Sequence, residues 1–274
     1  MVKYKLWQHQ VECIEKALTQ NNFALFMDPG VGKSGTSVRI LCERMNMYKR
    51  KLRTIIFCPP VVVPNWAREI RKFSDIESSN VRQLVGSGKE RLKLLQKRDA
   101  HIYITNWQSL LMKDLFAEMI RFKPEFLIWD ESQLAKNPTS IRSKKAAELS
   151  LLAKHRLILT GTPVTNSPLD LFSQFRILDG GDTFGRNFFT FRSKYFYDRN
   201  ASMPVHVHFP DWRVKPDSLD KFNEIIREKG FVARKEQCID LPELVCKRIE
   251  VPLSPKQAKI YEDMRKDFVA FMEG

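Results

Sequence analysis

Met27-Asp28-Pro29-Gly30-Val31-Gly32-Lys33-Ser34 lies directly between an apolar run at 23–27 and a stretch with helical spacing at 34–47. Glycines at 30 and 32 let backbone N–H groups turn inward around phosphate oxygens, and the start of the following helix adds positive potential. In such a loop Lys33 reaches the β- and γ-phosphates of a nucleotide, and the Ser34 hydroxyl binds Mg²⁺. The candidate ATP-binding residues here are Asp28, Gly30, Val31, Gly32, Lys33, Ser34 and Gly35. Met27 stands where G-x-x-x-x-G-K-[ST] has its first glycine, so the bare pattern could belong to an ordinary Gly-rich turn. The strand–loop–helix setting favours the phosphate loop.

Working outward, residues 1–180 repeat that setting. Short apolar runs occupy 23–27, 54–58, 81–85, 102–105, 126–129 and 157–160, each bounded by turn-forming residues, as expected of strands buried on both faces. Helical spacing fills 34–47, 63–73, 89–97 and 141–153 between them. This alternation predicts an α/β fold, a parallel sheet with helices on both faces. Functional residues then gather at the carboxyl ends of the strands.

The run at 126–129 ends in Asp130-Glu131. A Mg²⁺-bound nucleotide needs an acid at the tip of the strand beside the phosphate loop, and Asp130 fits that place. Glu131, one residue on, is placed to polarise the attacking water as general base. An isolated Asp-Glu more often caps the next helix. After a buried strand and downstream of Lys33, the catalytic reading leads, with Lys33, Asp130 and Glu131 at the centre and Mg²⁺ on Ser34 and Asp130.

The bulk composition narrows the partners. Lys and Arg number 46 against 32 Asp and Glu, a formal charge of +14, which attracts polyanions: nucleic acid, anionic lipid or acidic protein. No apolar run is long enough to span a membrane, and the opening residues lack a signal peptide, so a cytoplasmic location, or nuclear in a eukaryote, is expected. Five cysteines without C-x-x-C spacing suggest free thiols in a reducing compartment and no zinc site. His206 and His208 have no companion ligand nearby in the sequence.

At this point the chain resembles a family, the Swi/Snf-type ATPases of helicase superfamily two, through several motifs in order along most of its length. Leu6-Trp7-Gln8-His9-Gln10 is similar to the adenine-recognition segment, which implies that Gln10 binds ATP. Residues 27–34 resemble the phosphate loop, and Ile55 to Pro60 with Asn65-Trp66 and Glu69 resembles motif Ia. Val85-Gly86 with Arg91, and Thr105-Asn106-Trp107-Gln108, resemble the next two strand-end loops. Asp130-Glu131-Ser132-Gln133 with Lys136-Asn137 resembles the acidic box, although Gln133 replaces a common His. Leu159-Thr160-Gly161-Thr162-Pro163 with Asn166 and Leu169-Asp170-Leu171-Phe172 is similar to motif III. Arg234-Lys235, Leu241-Pro242 and Leu253-Ser254 with Gln257 and Tyr261 resemble the approach to a second lobe.

The resemblance implies a RecA-like ATP-binding lobe at 1–180, a small helical protrusion and linker at 181–245, and the start of a second RecA-like lobe at 246–274. It implies a DNA-dependent ATPase that translocates on duplex DNA, with ATP and Mg²⁺ as cofactors and RNA as the alternative track. Gln133, Thr160, Gly161 and Thr162 would couple nucleotide to nucleic acid. The second lobe, which in this family supplies the arginine that stabilises the transition state, is expected to be missing, so the chain alone should turn ATP over poorly. A restriction-type motor subunit or a strand-separating helicase is the enzyme alternative, and a nucleotide-gated DNA-binding module the non-enzyme one.

Backbone contacts to nucleic acid are expected from strand-end residues Asn65, Arg68, Ser87, Lys89, Arg91, Thr105, Asn106 and Gln108, which offer hydroxyls and amides as well as charge. Trp66 and Trp107 could stack on bases, but packing is the stronger reading. Lys49-Arg50-Lys51 and Arg53 precede a strand and read as a solvated face at the amino edge of the sheet. The aromatic cluster from Phe184 to Tyr197 reads as a satellite core beneath the protrusion rather than a binding platform.

Overall fold

The computed structural model describes residues 5–165, 167–238 and 251–273. All six apolar runs form strands of one parallel sheet: β1 (Asn22–Met27), β2 (Thr54–Cys58), β3 (Val81–Gln83), β4 (Ile102–Asn106), β5 (Phe126–Asp130) and β6 (His155–Thr160). The connecting helices are α1 (Gln8–Leu18) before β1, then α2 (Lys33–Tyr48), α3 (Val63–Phe73), α4 (Gly88–Gln96), α5 (Lys113–Phe122), α6 (Ile141–Ser150) and α7 (Leu171–Asp179). Of these, α1, α5 and α7 were not among the stretches read as helical from their spacing.

Each central strand feeds both faces of the sheet. In β2, Ile55 and Phe57 enter one core while Ile56 and Cys58 enter the other. In β5, Leu127 and Trp129 alternate with Phe126 and Ile128 in the same way. The period of two within continuous apolar runs is what a sheet covered on both faces requires. The edge strand β3 is only half-buried and shorter than the 81–85 run, which turns away at Gly86.

Two features of the sheet depart from the sequence reading. The strand order is β3-β4-β2-β5-β6-β1 and then β9 (Gly230–Ala233). β9 lies inside the stretch expected to be linker, yet it pairs in parallel with β1, with Ala24 opposite Gly230 and Met27 opposite Ala233. A strand four residues long, following a helix without a break, has no punctuation to announce it. The order also places β6 between β1 and β5, so the acid at the tip of β5 is one strand removed from the phosphate loop rather than beside it.

The segment between α7 and β9 carries α8 (Phe188–Tyr195), an antiparallel hairpin of β7 (Phe196–Asp198) and β8 (Trp212–Val214), and α9 (Pro216–Lys229). Asn187 caps α8 by accepting hydrogen bonds from Phe189 N at 2.8 Å and Thr190 N at 3.2 Å. Phe184, Phe191, Tyr195, Phe196 and Phe222 are buried together against Phe172 and Phe175 of α7, so the aromatic cluster is a core continuous with one face of the sheet. The basic run also lies where expected. Arg50 and Arg53 precede β2 and bond to Glu125, which precedes β5.

Residues 1–239 form one compact unit and 240–274 a second. Within the second, α10 being the short turn Lys235–Cys238 of the first unit, the described helix is α11 (Pro255–Glu273). Leu241-Pro242, Cys246 and Asn166 lie outside the described residues. Cys13, Cys42, Cys58 and Cys238 are free thiols, and no metal-binding cluster of His, Cys, Asp or Glu occurs among the described residues. No helix among them is long and apolar enough to cross a membrane.

Phe191 is 1% exposed and touches six other aromatic rings, whereas its near neighbour Phe189 is 65% exposed. Phe191→Ala is expected to cost about 3–5 kcal/mol and Phe189→Ala within about 0.5 kcal/mol. Denaturant midpoints of the two variants check this.

Candidate active site

The phosphate loop leaves β1 and returns as α2 with Gly30 at φ 92° and Gly32 at φ 90°, left-handed conformations that favour glycine. Gly32 is fixed by a second constraint. A Cβ there would stand 2.2 Å from Gln10 Nε2. Gln10 is itself 4% exposed, donates from Nε2 to Gly32 O at 3.4 Å and accepts from Trp7 N at 2.9 Å through Oε1. His9 Nε2 lies 3.0 Å from Val31 O. The start of α1 is thus fastened to the loop through Gln10 and His9.

Lys33 opens α2 and donates from Nζ to Met27 O at 2.6 Å. Burial pushes its pKa down, opposed by the nearby carboxylates of Glu131, Asp130 and Asp28. The ammonium is therefore bound to a neutral carbonyl at the mouth of a site containing three acids.

Asp130 is the most constrained of these acids. It is 8% exposed, and Oδ2 accepts a hydrogen bond from Trp66 Nε1 at 2.8 Å while Oδ1 accepts from Glu131 N at 3.1 Å. Its main-chain oxygen accepts from Trp107 Nε1 at 2.8 Å. Burial pushes the carboxyl up to about 6, against the pull of the Trp66 hydrogen bond and of Lys33, with Glu131 pushing further upward. Both tryptophans are at most 1% exposed, so their faces are packed and their N–H groups hold the acid. The packing reading of these residues is the correct one.

Glu131 follows at φ 53°, a left-handed backbone that costs a non-glycine residue about 1–2 kcal/mol. Gln133 Nε2 donates to Glu131 Oε2 at 2.7 Å, which orients that carboxylate. Lys33, Ser34, Asp130 and Glu131 line one open cleft of about 750 Å³ with Gly30, Gly32 and residues of α3.

The loop after β6 closes the gap between the two halves of the site. Thr160 is buried and its hydroxyl oxygen accepts from Thr162 N at 2.9 Å. A Cβ on Gly161 would be 3.0 Å from Pro29 Cδ, so this loop lies in contact with the phosphate loop. Gln174 of α7, fully buried, accepts from Ser132 Oγ at 2.7 Å and donates to Pro163 O at 2.7 Å and Asp170 O at 3.1 Å. It bridges the acidic loop to the loop after β6. Sequence reasoning passed over Gln174, although an amide among Leu171, Phe172 and Phe175 is the signal of a buried polar link.

The residues expected to meet nucleic acid separate into three groups. Asn65 and Arg68 bond to each other and line the same cleft as Lys33. Ser87, Lys89, Gln108 and the half-buried Asn106 stand around the loops after β3 and β4: Ser87 caps α4 by accepting from Glu90 N at 3.4 Å, Lys89 is in the first turn of α4, and Asn106 is the last residue of β4. Arg91 joins those loops, donating to Gly86 O at 2.8 Å, Asn106 Oδ1 at 3.0 Å and Ser109 Oγ at 2.8 Å. Thr105 is the exception. It is fully buried, with its hydroxyl 2.6 Å from Ser109 Oγ, so it supports the loop from inside and does not face solvent.

A family model described as the SNF2-related domain matches residues 4–274. The chain is 31% identical over 210 residues to TATA-binding protein-associated factor BTAF1 of Arabidopsis thaliana, covering 76% of this chain and 10% of that protein. It is 29% identical over 252 residues to TATA-binding protein-associated factor 172 of Homo sapiens, covering 87% and 13% respectively. In fold it is similar to the Sulfolobus solfataricus SWI2/SNF2 ATPase core in complex with dsDNA, with a TM-score of 0.67 at 23% identity over 99% of this chain and 54% of that one. The chain therefore spans about a tenth of the length of these curated relatives and about half of the solved core.

The raised Asp130 pKa has a stability consequence. Between the ordinary carboxylate range and about 6, the native state holds a proton that the unfolded chain has already lost, so stability falls as pH rises through that window. Without nucleotide or Mg²⁺, the effect of Asp130→Asn on stability is expected to be about 1–3 kcal/mol more favourable near pH 8 than near pH 4.5, whatever the amide loses in hydrogen bonding at both. Denaturation at the two pH values tests it, and an equal effect at both would contradict it.

Proposed function

This chain belongs to the SNF2-related domain family, and from that premise we propose that it is the ATP-binding lobe of a motor that moves on duplex DNA. One observation carries the proposal: the glycine cradle, Lys33, Ser34, Asp130 and Glu131 converge on a single cleft at the carboxyl edge of the sheet.

The residues fit a Mg²⁺-bound nucleoside triphosphate. Left-handed glycines expose amides to phosphate oxygens, and Asp130 presents a buried carboxylate whose charge lacks a full counterion. Ser34 and Asp130 would hold the metal, which when bound neutralises charge on the phosphates. Lys33 exchanges the Met27 carbonyl for a phosphate oxygen, and this transfer moves its ammonium from a neutral acceptor to a charged one. Glu131, oriented by Gln133, accepts the proton of the attacking water. Gln10 recognises the base from α1.

Coupling to the track follows from the sheet order. The loop at 160–162 touches the phosphate loop on one side and, through Gln174 and Ser132, the acidic loop on the other. Any displacement of either loop on hydrolysis is felt by both. Duplex DNA is contacted through phosphate by Ser87, Lys89, Arg91, Asn106 and Gln108, helped by the basic charge of the chain. Support for DNA over RNA comes from the family and from the solved core in complex with dsDNA. On the family resemblance, an arginine from a second lobe completes the transition-state site.

The test is ATP binding and hydrolysis by this chain, with and without duplex DNA. Lys33→Ala is expected to weaken Mg²⁺–ATP binding at least about tenfold while leaving DNA binding intact, since its ammonium contributes a charge-assisted bond to phosphate. A parent chain that binds no ATP overturns the proposal. Arg91→Ala is expected to weaken duplex binding and reduce its salt dependence, measured by titration at two salt concentrations.

A further inference from the structure

A second basic side chain reaches the phosphate loop from a part of the sequence 200 residues downstream. Strand β9 runs beside β1 and delivers its end to the start of the loop, where Ala233 O accepts from Asp28 N at 3.0 Å. Asp28 Oδ2 in turn accepts from Lys235 N at 2.9 Å. These two bonds clamp the first turn of α10 onto the loop. They place the Lys235 side chain over Gly30, with Cε 4.0 Å from where a Cβ on Gly30 would stand. Lys235 is exposed, and no acceptor holds its ammonium among the described residues.

The charge balance of the loop gives this placement a purpose. Asp28 is close enough to Lys33 to act on its ammonium, as Asp130 and Glu131 are. A carboxylate at the rim of a polyphosphate site repels the ligand, and the cleft that holds Lys33, Arg68 and Lys72 is already lined by Glu69, Asp130 and Glu131. A second ammonium beside Asp28 offsets that repulsion and stays available to a phosphate oxygen.

Resting on the ATP-binding reading above, we propose that Lys235 is a second phosphate-binding cation of this site, positioned over Gly30 by the Asp28 clamp. It is a nucleotide-binding residue supplied by the stretch after the protrusion, so ATP ties β9 and α10 to the phosphate loop. The clamp depends on Asp28 and on backbone atoms, whereas the phosphate contact depends on the Lys235 side chain, and the two can be separated by mutation.

Lys235→Ala and Lys235→Arg, titrated with Mg²⁺–ATP in the chain as it stands, test this. The alanine variant is expected to bind about tenfold more weakly, the worth of one charge-assisted hydrogen bond, and the arginine variant to recover affinity to within about twofold. Thermal melts of both without nucleotide should match the parent, because the side chain is exposed and the clamp is made by the backbone. An alanine variant that binds ATP like the parent overturns the proposal. So does a loss of affinity accompanied by a lower melting temperature and not restored by arginine, which would mark a structural role. A parent that fails to bind ATP would instead remove the underlying reading, an outcome visible before either variant is compared.

Discussion

The carboxylate of Asp130 is buried at the tip of β5 without a full counterion, and much of the site is arranged around holding it there. Burial of a carboxylate is unfavourable unless hydrogen bonds or an ion compensate. The chain supplies two indole N–H groups, from Trp66 on the side chain and Trp107 on the main chain, and the amide of Glu131. These donors come from α3, from the turn after β4 and from the following residue. The acid is thus fixed from three directions, and the loops after β2, β4 and β5 share one anchor. The residual cost leaves the carboxyl raised to about 6, a cost that the proposed Mg²⁺ would offset.

Sheet order turns that local constraint into a means of communication. With β6 between β1 and β5, the phosphate loop and the acidic loop do not touch through neighbouring strands but through the loop that follows β6. A Cβ on Gly161 would be tight against Pro29, 3.0 Å from Cδ, and Gln174 holds the far side. On the function proposed, a change at the nucleotide would pass through packed backbone and a buried amide, contacts with little slack. The same edge continues to Arg91 and Asn106, whose hydrogen bonds link the loops proposed to meet DNA.

Much of this was legible in the sequence, for physical reasons that differ by residue. Strands buried on both faces read as continuous apolar runs, so β1, β2, β4, β5 and β6 were found with their ends nearly correct. That Lys33, Ser34, Asp130 and Glu131 meet in one cleft was legible because a phosphate cradle and a strand-end acid need fixed residue types at fixed spacing. What stayed hidden depended on partners distant in sequence. β9 is four residues long and takes its meaning from β1, about 200 residues earlier. Thr105 looked like a surface hydroxyl because nothing local shows that Ser109 closes over it. Trp66 and Trp107 could be read as packed, but only the fold reveals that both donate to the same aspartate.

The most direct test of this account is a crystal structure of the chain with Mg²⁺ and a non-hydrolysable ATP analogue. The account predicts phosphates over residues 30–34, the Lys33 ammonium moved from Met27 O to a phosphate oxygen, and the metal between Ser34 and Asp130 with Trp66 still bonded to Oδ2. Nucleotide bound elsewhere, or a metal that leaves Asp130 untouched while Lys33 stays on the Met27 carbonyl, would contradict it.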